Sequence, residues 1–252
     1  MLSKRSARWE DGRFVTEGPK LLDEALRAGA RLTAVYVEAG AAAGHRSRVE
    51  RARESGAEVL VVADGVLERA LGTVAPQPLA AVAEMSHVSL DQIELRGLTA
   101  VCAGVQDPGN AGTIVRSVAA SGGAAVVFCA GTVDPYNPKA VRASAGAVFH
   151  IPLVCGPGPV AVLDHLAALG VSRWGAVAAG GDEHDRVDWT GAVALVLGSE
   201  SRGLPAEVAA CLDGLVTITM EPGTESLNVA MAATVICFEA ARQRRAAAGR
   251  AT

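Results

Sequence analysis

The sequence lacks the cysteine pattern of a disulfide framework or a zinc site. Its five cysteines are scattered, none stands in a C-x-x-C pair, and most lie in apolar runs (Cys102, Cys129, Cys155, Cys211 and Cys237). Free, buried thiols in a reducing compartment are therefore expected, so we predict a cytoplasmic protein without metal. No apolar run reaches the length of a membrane span, and the N-terminus lacks a signal-peptide core. No membrane association is expected.

Two nucleotide-binding signatures are also missing. No G-x-G-x-x-G follows a predicted strand, which leaves a Rossmann dinucleotide site unsupported, and the absence of G-x-x-x-x-G-K-[ST] excludes a P-loop. The segment Gly181–Trp189 clusters acids around His184. Because no ligand spacing repeats there, a solvated loop is favoured over a metal site.

Net charge alone argues weakly against nucleic-acid binding, because the chain carries −4 at neutral pH. The distribution is uneven, however. Residues 1–53 hold 11 basic against 7 acidic side chains, and the tail after Glu239 carries four arginines and no acid (Arg242, Arg244, Arg245 and Arg250). Such local patches can contact phosphate despite the global sign.

The segment His45–Gly56 is predicted to be a helix with a basic face, formed by Arg46, Arg48, Arg51 and Arg53. This face is the best candidate in the N-terminal part for contact with the phosphates of a nucleic acid. An alternative is equally open, in which the arginines are solvated and pair with Glu50 and Glu54.

Aromatic residues make up only 4% of the 252 residues, and short Ala/Val-rich runs alternate with helical patterns. This alternation predicts an α/β protein. Residues 1–85 form a first small αβ domain, 86–97 a polar linker, and 98–252 a second domain. The strands of the second domain are apolar at nearly every position, which favours a parallel sheet covered on both faces. A long helix is predicted from about Ser226 to Ala248.

Three polar loops follow strands of the second domain. The turn Asp107–Asn110 opens a helix that carries Arg116, a second turn spans Gly198–Gly203, and a third loop precedes Ser226. Loops at the carboxyl ends of parallel strands are where α/β sheets bind ligands. Each segment alone has a structural alternative, such as a helix cap or a surface ion pair. Their combination indicates a binding site.

These segments resemble the signature motifs of the SpoU (TrmH) family of RNA ribose 2′-O-methyltransferases, in the SPOUT superfamily. The resemblance covers about 98–245 and rests on four stretches in one order: DPGNAGTIVRS, DPYNPKAVRASAG, LGSESRGLP and SLNVAMA. In addition, FVTEGPKLLDEAL near the start resembles a substrate-binding domain similar to ribosomal protein L30e. One departure is Ser201-Arg202, where many relatives carry glycine after the glutamate.

The resemblance implies a deep trefoil knot in the second domain, bound S-adenosylmethionine and a homodimer that acts on RNA, most of all 23S rRNA. It implies cofactor contacts at Leu197, Gly198, Glu200, Ile218, Met220, Ser226 and Leu227. It implies a catalytic set of Asn110, Arg116, Glu200, Ser226 and Asn228.

Methyl transfer to a ribose hydroxyl needs positioning and proton handling rather than a strong nucleophile or a metal. The family proposal gives Arg116 a part in activating the hydroxyl. Because arginine resists deprotonation, we favour a phosphate clamp that also stabilises the developing alkoxide, with Asn110 holding Arg116.

Alternatives to this function stay open. One is a tRNA methyltransferase, and another is a catalytically silent RNA-binding dimer, which the intact catalytic set disfavours. A third is a serine hydrolase, because SESRG resembles a nucleophile elbow around Ser201. Ser199 replaces the first glycine of that elbow, and no suitable histidine follows Leu215.

Overall fold

The computed structural model describes residues 2–71 and 77–249, which form two compact units. The first unit contains Met1–Ser86 together with Tyr136–His150, and the second contains His87–Pro135 and Ile151–Thr252. This grouping differs from a simple division in chain order, because an internal segment, Tyr136–His150, packs with the N-terminal residues.

The first unit is built on a four-stranded sheet of order β1-β4-β2-β3. β4 is antiparallel to β1 and β2, whereas β2 and β3 are parallel. Its elements are α1 (Arg5–Asp11), β1 (Arg13–Glu17), α2 (Pro19–Arg27), β2 (Leu32–Glu38), α3 (Arg46–Glu54), β3 (Glu58–Val62), α4 (Val66–Leu71), β4 (Leu79–Glu84) and α6 (Pro138–Ala143), with 3₁₀ turns at Ala39–His45 and Ala147–Phe149.

Aromatic packing joins the internal segment to the rest of the first unit. The ring of Phe14 lies 4.9 Å from that of Tyr136 and 5.8 Å from that of Phe149. An ion pair between Arg142 and Glu17, with N and O 3.0 Å apart, adds a polar contact. Phe14 and Tyr136 are almost fully buried, so the internal segment completes the core of this unit.

The second unit is built on a seven-stranded sheet of order β7-β6-β5-β10-β8-β11-β9. Every recorded strand pair is parallel, which confirms the predicted α/β parallel sheet. Its elements are β5 (Leu98–Cys102), α5 (Pro108–Ala120), β6 (Ala125–Phe128), β7 (Leu153–Cys155), α7 (Pro159–Ala168), β8 (Ser172–Ala176), β9 (Asp182–Glu183), β10 (Val193–Leu197), α8 (Ala206–Ala209), β11 (Gly214–Thr217) and α9 (Val229–Ala248), with a 3₁₀ turn at Leu90–Gln92.

Several elements differ from the sequence-based expectation. α1, β1 and the short strands β7 and β9 were not predicted, since elements of two to seven residues carry too little periodicity. The last helix begins at Val229 rather than at Ser226, because the Asn228 side chain caps it by accepting the N–H groups of Ala230 and Met231.

The stretch predicted as a linker is packed on the second unit. Ile93 is buried in a cluster with Val101 and Leu163. His87 forms an isolated bridge with Leu153, and the Val88 N–H donates to the Leu153 carbonyl over 2.8 Å. Among residues 2–71 and 77–249, no helix combines the length and apolar character needed to cross a membrane.

Candidate functional site

A cavity of about 420 Å³ lies at the carboxyl edge of the second unit's sheet. Its walls come from the end of β8, the turn 198–203, residues 216–220 around the end of β11, residues 226–229, and the first part of α9. Because the strands are parallel, their following loops meet at one edge, as the sequence predicted. The volume falls in the range of ligand sites, roughly 300–1,000 Å³.

The turn after β10 is closed by two backbone hydrogen bonds. The Ser199 N–H donates to the Gly203 carbonyl over 2.9 Å, and the Gly203 N–H donates to the Ser199 carbonyl over 2.8 Å. A Cβ on Gly198 would lie 2.4 Å from the carbonyl carbon and oxygen of Gly203. No side chain fits there, so glycine is required for the turn to fold back on the strand end.

Glu200, in this turn, accepts hydrogen bonds from the loop that follows β5. Its Oε1 accepts the Asn110 side-chain N–H over 2.8 Å and the Asp107 backbone N–H over 3.2 Å. Its Oε2 accepts the Gln106 backbone N–H, also over 3.2 Å. The carboxylate therefore ties the second polar loop to the first turn of α5.

The third loop joins the same network through Asn228. The Oδ1 of Asn228 accepts the N–H groups of Ala230 and Met231, so its Nδ2 faces outward and donates to Asn110 Oδ1 over 3.0 Å. Asn110 then has only its own Nδ2 to give to Glu200. The orientation of each amide is thus fixed by the next group along the chain of hydrogen bonds.

The pKa of Glu200 lies below its usual value. Partial desolvation raises this pKa, but the hydrogen bonds from Asn110 and from the backbone N–H groups of Glu200, Asp107 and Gln106 outweigh it. Hydrogen bonds to the charged form favour that form. Glu200 is therefore ionised at neutral pH, and its oxygens are occupied by donors, which suits a residue that positions others better than a general base.

Arg116 does not take part in this network. It lies exposed on α5, outside the cavity lining, and makes no hydrogen bond or ion pair with another described residue. The prediction that Asn110 holds Arg116 was wrong, because both ends of the Asn110 amide are used by Glu200 and Asn228. The Arg116 side chain remains available to a ligand.

The other predicted site residues fall into two groups. Six of the proposed cofactor contacts line the cavity: Gly198, Glu200, Ile218, Met220, Ser226 and Leu227. Leu197 does not, because it is fully buried at the end of β10. Ser226 lies in the loop before α9 and does not start a helix.

Sequence reasoning missed part of the polar network. Asp107 caps α5 by accepting the Asn110 backbone N–H over 3.0 Å, a role that Asp before Pro108 could have signalled. Gln106 bridges two loops through its side chain, which donates to the carbonyls of Gly104 and Gly131. No pattern in the sequence points to this bridge.

The basic stretches contain fewer free cations than their composition suggests. In α3, Arg48 and Arg51 both pair with Asp23, at 2.8 and 3.2 Å. Arg53 pairs with Glu50 at 2.9 Å. Arg46 is exposed and has no partner in the described part of the chain.

In the tail, Arg242 pairs with Glu239 at 2.7 Å. Arg244 donates to the carbonyls of Ser121 and Gly122, where it complements the C-terminal end of α5. Arg250 lies outside the described residues.

Other chemistries find little support at this site. The side-chain contact of Ser201 is with Ser199, whose hydroxyl lies 3.5 Å away, and no histidine accompanies it among the described residues. No group of three or more metal-binding side chains occurs within residues 2–71 and 77–249. The His184 loop is anchored instead, because the Trp189 indole N–H donates to the His184 carbonyl over 2.7 Å.

A parallel α/β sheet with a cavity at its carboxyl edge and three polar loops around it defines an α/β domain with a ligand-sized site at the strand ends. The chain belongs to the SpoU rRNA methylase family, whose model matches residues 97–238. An MRM3-like substrate-binding domain matches residues 1–81. The family predicted from the four motifs is confirmed, and with it the enzyme class, an RNA methyltransferase.

Similar proteins span nearly the whole chain. A Bacillus subtilis 23S rRNA (guanosine(2553)-2′-O)-methyltransferase, RlmP, is 29% identical over 94% of this chain and 92% of its own. A Streptomyces viridochromogenes 23S rRNA (uridine(2479)-2′-O)-methyltransferase is 31% identical over 97% and 88%. The crystal structure of the SpoU methyltransferase AviRb from that organism, in complex with the cofactor AdoMet, superposes with a TM-score of 0.86 at 30% identity, covering 97% and 96%.

Proposed function

We propose that this protein transfers a methyl group from S-adenosylmethionine to a ribose 2′-hydroxyl of 23S rRNA. The observation that carries the proposal is the cavity with the Asn228–Asn110–Glu200 network at its edge. The residues fit the cofactor, because the apolar side chains of Ile218, Met220 and Leu227 share the lining with the backbone of Gly198. When bound, S-adenosylmethionine supplies an electrophilic methyl group.

The protein's own residues supply position and charge. Glu200 and Asn110 hold the polar loops in register, so that Asn228 is presented at the cavity with a fixed amide orientation. Arg116, free of protein partners, binds an RNA phosphate and stabilises the alkoxide that develops as the hydroxyl loses its proton. No described side chain of the cavity is a free base, which favours proton release to solvent.

The 23S rRNA substrate is supported by the two relatives, both 23S rRNA 2′-O-methyltransferases, which match this chain almost end to end. One of them modifies a guanosine and the other a uridine, so the target nucleotide of this protein does not follow from either relative. The first unit, which matches an MRM3-like substrate-binding domain, is assigned the task of binding rRNA. The RNA-binding part is then about 1–85 together with Tyr136–His150, and the catalytic part is the remainder of about 98–252.

A homodimer is supported by an apolar stripe on α9. Met231, Val235 and Phe238 are 61%, 38% and 47% exposed, and their spacing of four and three residues places them on one helix face. Exposed apolar patches of this kind mark interaction surfaces. We assign this face to a second copy of the chain.

The trefoil knot and the cytoplasmic location that the family resemblance implies are also part of the proposal. The free cysteines fit a reducing compartment.

The test is to map ribose methylation of 23S rRNA from cells with and without the protein. The expected result is one 2′-O-methyl group that disappears on deletion and returns when purified protein and S-adenosylmethionine are added to the unmodified rRNA. Identical methylation patterns in both strains, with no transfer in vitro, would overturn the proposal.

A further inference from the structure

Arg202 is a second free cation beside the site. The second unit contains no lysine, and most of its described arginines are paired. Arg173 pairs with Asp213, Arg186 with Glu183 and Arg242 with Glu239, while Arg244 donates to main-chain carbonyls and Arg96 approaches Glu94 at 4.0 Å. Within the described residues of this unit, the arginines without a protein partner are Arg116, Arg202 and Arg245.

The backbone of Arg202 is held at the rim of the cavity. It lies in the turn closed by the Ser199–Gly203 hydrogen bonds, and its neighbours Ser201 and Gly203 both line the cavity. Glu200, two residues earlier, binds Asn110. Arg245, by contrast, lies in the last turn of α9, far along the chain from the polar loops. A fixed backbone with an exposed guanidinium that has no partner among the described residues is suited to an anion that arrives with the substrate.

RNA carries a phosphate on each side of every ribose, so a ribose placed at the cavity brings two anions with it. We propose that Arg202 binds a backbone phosphate next to the reacting ribose, while Arg116 holds the RNA from α5. The planar guanidinium donates two parallel N–H groups to phosphate, which fixes direction as well as charge. This inference rests on the proposed function, and it assigns Arg202 as a substrate-binding residue. The carboxylate of S-adenosylmethionine is the competing anion.

The experiment compares the full-length protein with Arg202→Gln and with Arg96→Gln as a matched control. Arg96 is also exposed and its loss changes the net charge equally, but it precedes β5, at the opposite edge of the sheet from the polar loops. Each protein is titrated with an unmodified 23S rRNA transcript at several salt concentrations, and separately with S-adenosylmethionine without RNA.

Arg202→Gln is expected to weaken RNA binding roughly tenfold, as the loss of one charge-assisted contact. It should flatten the plot of log affinity against log salt by roughly 0.7, the value for one phosphate contact on a single strand. Arg96→Gln should bind RNA as tightly as the wild type. Both variants should bind S-adenosylmethionine with wild-type affinity. Arg202→Lys should keep the salt slope but bind RNA less tightly than wild type, because an ammonium group cannot donate two parallel N–H groups to one phosphate.

Equal RNA affinities for Arg202→Gln and Arg96→Gln would overturn the inference. So would a loss confined to S-adenosylmethionine binding, which would assign Arg202 to the cofactor carboxylate. Because binding is measured without methyl transfer, this failure is distinct from failure of the proposed function, which would appear as a wild-type protein that methylates no 23S rRNA.

Discussion

Asn110 donates its side-chain N–H to Glu200 over 2.8 Å, although the two residues are 90 positions apart in the chain. The contact joins the first turn of α5 to the turn after β10, and Asn228 adds the loop before α9. Three loops that are remote in sequence are therefore held by one line of hydrogen bonds. Because Glu200 is ionised, its hydrogen bond with residue 110 requires a neutral donor there. A second negative charge at that position would weaken the network.

Replacing Asn110 by Asp should create a pH-dependent defect. At pH 7 the new carboxylate faces ionised Glu200, and the two like charges repel each other. Their repulsion raises the pKa of one member in the folded state, so the destabilisation is present above that pKa and is lost as pH falls. Thermal unfolding between pH 5 and pH 8 should show a deficit of roughly 3 °C or more near neutrality that shrinks in acid.

Asn137→Asp is the matched control for that experiment. Asn137 caps α6 by accepting the Lys139 N–H over 2.9 Å, and Asp is equally suited to that position. This variant should show little change with pH. A deficit of Asn110→Asp that stays constant across the pH range would show that the facing carboxylates are not its cause.

Replacing Arg116 by Ala should separate catalysis from cofactor binding. Arg116 is exposed and lies outside the cavity lining, so the affinity for S-adenosylmethionine should change less than about threefold. The kcat/KM for methyl transfer should fall by at least roughly 100-fold, as for loss of one preorganised donor in other enzymes. Arg116→Lys should also fail. Substantial turnover by the lysine variant would contradict the phosphate clamp.

Gly198→Ala should damage the cavity itself. A Cβ would meet the carbonyl of Gly203 at 2.4 Å, so the turn must open. Overpacking of this kind costs about 1–3 kcal/mol, and because the cost falls on the cavity wall we expect a loss of roughly 5- to 150-fold in affinity for S-adenosylmethionine. Gly191→Ala is the control, because a Cβ at Gly191 meets nothing within 4 Å. Calorimetry that finds the two variants equal would exclude the close approach as the reason for glycine.

The residues that form the site could be predicted from the sequence more fully than the hydrogen bonds between them. Polar loops at strand ends indicated a binding edge, and six of the seven contacts that the family resemblance implies line the cavity. The partner of Asn110 could not be predicted, because Glu200 is remote in sequence and sequence spacing gives no distance between loops. The same limit explains Arg244, which composition assigned to a basic tail and which instead binds the end of α5.

In the fold, too, local elements could be predicted from the sequence, whereas contacts between remote segments could not. The helix α5 was placed within a few residues because its apolar side chains recur at helical spacing, and β10 because it is a continuous apolar run that is buried throughout. The position of Tyr136–His150 in the first unit could not be anticipated. It depends on Phe14 packing against aromatic rings more than a hundred positions away, a long-range effect that no local pattern encodes.

The apolar stripe on α9 leads to a prediction about assembly. Met231→Glu combined with Phe238→Glu should shift the protein to a monomer in sedimentation experiments at micromolar concentration, because two charges would be buried at the proposed interface. Leu169→Glu is the control, since Leu169 is 56% exposed but lies at the end of α7. A dimer that survives the double substitution would place the interface elsewhere, and a wild-type monomer would refute the dimer itself.

The last prediction concerns the first unit as the rRNA-binding part. Deleting residues 1–86 is a poor test, because it would expose Tyr136 and Phe149, which pack on Phe14. Charge reversal in the full-length chain avoids this problem. Arg46 and Arg53 lie on the same helix, α3, but Arg53 is paired with Glu50 whereas Arg46 is free among the described residues.

Arg46→Glu should therefore weaken binding of a 23S rRNA transcript by roughly tenfold and flatten its salt dependence. Arg53→Glu, with the same change in net charge, should have a smaller effect, because its guanidinium is already engaged by an acid. Neither change should alter affinity for S-adenosylmethionine, since the cavity belongs to the second unit. If both reversals weaken RNA binding equally, the effect is general electrostatics, and α3 makes no specific contact through Arg46.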